Sequence, residues 1–144
     1  MSRSGAITTI DTLLSGVSDP TFRTVFRGEP MSVPETPSVA FWFAGRDVDF
    51  TTFTDVSSLN EFTIRAYWRL QASTNIREDI ELELWNASVS IPTALRGDSN
   101  LSGNVTDMTI GASTTAFTEI GGIAYRTLDI PLTLINYSEV TITP

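Results

Sequence analysis

The chain has 144 residues, 41% of them hydrophobic and 18% charged, with a formal net charge of −8. This is enough for one domain with its own core and too apolar for a disordered tail, and the acidic balance argues against a surface built to grip phosphate backbones. All nine cations are arginine and Lys, His and Cys do not occur, which excludes His-based triads, His-bearing zinc sites, disulfides, thiolate and Schiff-base chemistry, and P-loop lysines.

Near the start, Asp11 interrupts the apolar run, so no signal peptide is expected, and nothing approaches the roughly 18 consecutive apolar residues of a membrane span. A soluble protein of the host cytoplasm is the simplest expectation. Ile7, Ile10, Leu13, Leu14 and Val17 recur at helical spacing and predict a short amphipathic helix from Ala6 to Val17, stopped by Ser18-Asp19-Pro20. A short strand is expected at Phe22–Phe26. Residues 27–38 hold Pro30, Pro34 and Pro37, which excludes regular structure and predicts an extended arm.

Val39–Phe43 is an unbroken apolar run, and Ala44-Gly45-Arg46-Asp47 reads as a turn, so Val39 to Phe53 is expected to form a hairpin. Neighbours in a strand point to opposite faces, so both faces around Phe41–Phe43 need cover, and a two-layer monomer covers only one. One reading places Phe41, Trp42, Phe43, Phe50 and Phe53 in the core; the other makes them a patch against a sister subunit.

From Glu61 to Gln71 the pattern alternates cleanly, with Phe62, Ile64, Ala66, Trp68 and Leu70 on one side and Thr63, Arg65, Tyr67 and Arg69 on the other. The period then switches. Ile76, Ile80, Leu84, Ala87, Ile91 and Leu95 form one helical stripe, with Asn75 as cap, Glu78 completing a capping box, and Arg96-Gly97 as the end. Pro92 predicts a kink or a break. Short strands follow toward Ile110 and at Thr114–Glu119, then a turn at Gly121-Gly122. The last strand spans Tyr125–Tyr137, with Pro131 at an edge or bulge. The expected fold is α+β, two-layer: two helices on one face of a mainly antiparallel sheet of four to six strands, in a single domain over 1–144.

Carboxylate groups at Asp47/Asp49 and at Glu78, Asp79, Glu81 and Glu83 read as a solvated face and a dipole-favourable helix start, not as acid/base pairs or a calcium loop. Arg96-Gly97-Asp98 spells an integrin-type tripeptide but is explained by a helix-ending turn. Arg65, Tyr67 and Arg69 suggest cross-strand pairing with carboxylates before stacking with single-stranded nucleic acid. No enzyme, cofactor or metal is expected.

The phrase Ala94-Leu95 followed by Leu101-Ser102-Gly103-Asn104-Val105, with the later strand Tyr125-Arg126, Leu128, Ile130 and Leu132, resembles the tail-terminator proteins of long-tailed bacteriophages. The likeness runs from about Val39 to the end and includes the N-terminal helix; Pro92 and the Thr-rich loops depart from it. It implies a homo-oligomeric ring, usually a hexamer, that caps the tail tube at the head-proximal end of the virion tail. Such a ring contacts the tail tube protein and the head-closure connector, and DNA only passes through its lumen. The competing expectations are a neighbouring head-tail part (head-closure, tail-completion or tube subunit) and a β-rich surface- or carbohydrate-binding module.

Overall fold

A computed structural model describes the backbone of residues 2–50, 55–70 and 74–139, and their side chains apart from those of 49–50, 55–57, 74–77 and 137–139. The elements run α1 (Arg3–Ser15), β1 (Val25–Arg27), β2 (Ser38–Phe50), β3 (Asp55–Arg69), α2 (Thr74–Arg96), β4 (Asp107–Ile110), β5 (Thr114–Ile120) and β6 (Ile123–Glu139). The strands form one six-stranded sheet in the order β1-β2-β3-β6-β4, with β5 paired to β6 beside β4. Every pairing is antiparallel except β1 with β2. The fold is the two-layer α+β arrangement that the patterning predicts.

Alternation decides the layers. Ile64, Ala66 and Trp68 of β3 share a face with Val39 and Phe41 of β2 and with Leu128, Ile130 and Leu132 of β6, and both helices pack on it. Ile80, Leu84, Ala87, Ile91 and Leu95 are all buried there, as the helical spacing requires. On α1, Ala6, Ile10 and Leu14 face inward, and the Ser2 hydroxyl caps the helix by accepting from the Gly5 N–H at 3.0 Å.

The opposite face of the sheet is partly covered by the chain itself. The proline-rich segment crosses it, so Val33 packs with Ala40, Tyr67 and Tyr125. The Tyr125 hydroxyl donates to the Val33 carbonyl at 3.0 Å, and the Arg69 N–H donates to the Thr36 hydroxyl. The expected arm is therefore a cover for the second face. Burial pushes the Tyr67 hydroxyl above its ordinary pKa. Farther along this face, Arg65 donates through Nε and Nη2 to both Asp129 oxygens, at 2.6 and 2.8 Å, and lies 5.3 Å from the Trp42 ring centroid. Cross-strand pairing of Arg65 with a carboxylate is thus observed.

Several local expectations are corrected. Val39 to Phe50 is no hairpin: β2 runs straight through, and Ala44 is the extra residue of a β-bulge where the register with β3 shifts between Phe43 and Gly45. A bulge absorbs the small residues Ala44-Gly45 without reversing the chain. The far end of the expected hairpin, with Phe53, lies outside the described residues. Helix α2 is unbroken across Pro92, because Ile91 and Leu95 on either side of it are fully buried. That packing outweighs the roughly 3 kcal/mol cost of an interior proline. Asn75 lies inside the helix, which begins at Thr74, and so does not precede it as a cap.

Gly97 does not take the left-handed conformation; Leu101, Ser102 and Gly103 do, with φ of 49°, 58° and 84°. The turn is held by Asp98, whose carboxylate accepts from the Ser102 N–H and hydroxyl at 3.0 and 2.9 Å. Leu101 is fully buried in the core despite its positive φ, and Val105 is buried beside it in the same cluster. Pro131 sits where β4 gives way to β5 along β6; Gly111 approaches so closely there that a Cβ would meet the proline ring at 2.6 Å. Gly121-Gly122, both at positive φ, close the β5–β6 hairpin.

Candidate functional site

An apolar groove of about 440 Å³ lies on the helix-bearing face beside α1. Phe41, Phe43, Phe62 and Val105 are among the residues that line it. The bulge at Ala44 places Phe43 at the last position before the register shift, where its ring meets Phe62 edge-on at 5.7 Å. Phe43 remains 55% exposed.

Three of the nine arginines, Arg3, Arg27 and Arg46, line this groove. They come from the start of α1, the end of β1 and the stretch after the bulge. Arg27 is held by Asp11 of α1, its Nε 2.6 Å from the carboxylate. Arg3 and Arg46 have no carboxylate partner among the described residues. An apolar groove with cations in its lining suits an apolar side chain flanked by acidic ones.

Of the five aromatic residues singled out in the sequence, the three with described side chains do not share one face. Phe41 is 2% exposed and belongs to the core as well as to the groove lining. Trp42 points to the other face, half-buried beneath Arg65. Phe43 is the exposed member. Phe50 ends β2 with its side chain outside the described residues, and Phe53 lies outside them altogether. Phe41 and Phe43 therefore meet at the groove, with Trp42 between them also contributing to its lining.

A second apolar surface lies on α2. Leu82, Trp85 and Val89 point away from the core and are 55%, 73% and 60% exposed. Glu78 and Asp79, both exposed, precede them by one turn. Glu81 accepts from Arg126 of β6 at 3.0 Å, and the same guanidinium lies 4.6 Å from the ring centroid of the exposed Phe117. The sequence reading followed the inward stripe of this helix and passed over the outward one, although the spacing 82, 85, 89 was present in the residues. Arg3, Arg27 and Arg46 carry no such signal, being scattered along the chain.

Other sequence candidates resolve as structural parts. The carboxylate of Asp98, within Arg96-Gly97-Asp98, is engaged inside its own turn. Asp47 accepts from the neighbouring Val48 N–H, and no cluster of three or more metal-ligating side chains occurs among the described residues. Glu83 of α2 is pushed up from the ordinary carboxyl range by burial, with the Trp68 indole N–H acting in the opposite sense. No described helix is long and apolar enough to cross a membrane. No protein-family model matches the chain, and no curated protein matches it in sequence.

Proposed function

We propose that this protein is a structural subunit of a homo-oligomeric ring, of the kind that caps a bacteriophage tail tube, ends its growth and joins the tail to the head connector. The observation that carries the reading is the groove beside Phe43, left open by the described residues. A ring needs heterologous contacts, in which one patch meets a different patch on the next copy, and an open apolar concavity suits one half of such a contact.

Two further features support it. The phrase shared with tail terminators, Ala94-Leu95 and Leu101 to Val105, maps onto a helix end and a left-handed turn that inserts Leu101 and Val105 beneath the sheet layer. The net charge of −8 also suits a channel through which DNA passes without adhering, since like charges repel at short range.

Native mass spectrometry and negative-stain imaging at a few micromolar protein test the reading. Closed rings of one fixed copy number, six by the family likeness, are the expected result. A monomer at every concentration, or open filaments of indefinite length, would overturn it.

A further inference from the structure

We infer that the occupant of the arginine-rimmed groove is the outward face of α2 from a second copy of this chain, with Trp85 as the inserted side chain. The inference rests on the ring reading for closure of the assembly, but not for the contact itself.

Three observations lead there. Trp85 is the most exposed aromatic among the described residues, and with Leu82 and Val89 it forms a stripe that the described residues leave more than half exposed. Exposed Trp flanked by apolar neighbours is the composition of an interface centre, where Trp and Arg dominate binding energy. The groove offers the matching concavity. Its volume of about 440 Å³ falls within the range of pockets that enclose side-chain-sized groups.

Charge then selects between possible occupants. In a protein of net charge −8, the groove is locally cationic through Arg3 and Arg46, while the third lining arginine, Arg27, is already paired with Asp11. The α2 stripe carries the complementary sign through Glu78 and Asp79 at its start, both exposed, while Glu81 on its flank is paired with Arg126 of its own subunit. Apolar centres would meet with opposite charges at the rim, which favours correct docking and disfavours groove-to-groove or stripe-to-stripe pairing. Among the described elements, the groove opens beside α1 and the Leu101–Val105 turn that follows α2, whereas Leu82, Trp85 and Val89 ride on the outer side of the helix. One subunit cannot insert its own stripe, and a knob and a hole at different places make a head-to-tail contact.

Two variants and their mixture test this. Trp85→Ala removes the knob and keeps the groove; Arg46→Glu reverses charge in the groove and keeps the knob. Each alone is expected to weaken association about thirtyfold or more relative to wild type, as loss of an interface hot spot does. Mixed one to one, they are expected to form a dimer and nothing larger, because only one working knob and one working groove remain to meet. Raising salt should weaken wild-type association.

If Trp85→Ala assembles as wild type does, or the mixture stays monomeric while wild type assembles, the inference is overturned and the ring reading stands. Wild-type filaments that both variants abolish would sink the ring and keep the contact. A wild-type monomer at every concentration would remove both.

Discussion

Helix α2 carries two apolar stripes of similar composition with opposite fates. Ile80, Leu84, Ala87, Ile91 and Leu95 are at most 6% exposed, while Leu82, Trp85 and Val89 are 55% to 73% exposed. The inward stripe meets the sheet and belongs to folding. The outward stripe is left mostly exposed by the described residues, so its removal has little to cost the fold, and its presence is better explained by a contact made after folding. The two faces of the sheet teach the same lesson from the other side. The chain covers part of its back face with its proline-rich segment and an Arg65–Asp129 pair; among the described residues the groove at Phe43 and the outer face of α2 remain exposed, beside the separate Met31, Val48 and Phe117.

The comparison can be broken most readily on the inward stripe. Ile91→Ala is expected to destabilise the protein by about 2–5 kcal/mol in urea unfolding, because the fully buried side chain leaves a cavity beside Pro92. On the back face, Asp129→Asn should cost about 2 kcal/mol. It leaves the Arg65 guanidinium, whose pKa Asp129 raises above its usual value, without its charge partner three-quarters buried against Trp42. A double-mutant cycle with Arg65→Met measures the coupling directly.

Glu83 gives a smaller, pH-dependent difference. Its native pKa is raised by burial, so the folded state holds the proton more tightly than the unfolded chain. The stability tied to the protonated form is complete below the ordinary carboxyl value and is lost as pH rises through the raised one. Glu83→Gln should therefore unfold at a higher temperature than wild type at pH 7, with the difference vanishing near pH 4. Val89→Ala on the outward stripe is expected to change monomer stability by no more than about 0.5 kcal/mol.

Much of this fold was legible because alternation and helical spacing are strong signals over long elements. The β3 pattern from Phe62 to Trp68 and the α2 stripe from Ile80 to Leu95 assign the inner layer residue by residue. The bulge at Ala44 was not legible, since Ala-Gly followed by Arg-Asp has the chemistry of a turn and only the register with β3 shows that the strand continues. Pro92 misled for a similar reason: local propensity opposes a helix there, and tertiary packing on both flanks prevails. The groove was half legible. Phe41 and Phe43 stood out as aromatics, but Trp42 between them points to the other face, and the arginines converge only once α1, β1 and β2 are assembled.

The central claim is that the outward stripe serves association and not folding, and sedimentation velocity of Trp85→Ala beside wild type tests it most directly when paired with urea unfolding at concentrations low enough to keep both monomeric. Matching unfolding midpoints are expected, together with a wild type that sediments as an assembly at micromolar concentration and a variant that sediments as a monomer. Equal assembly by both proteins, or a variant destabilised as strongly as Ile91→Ala, would contradict it.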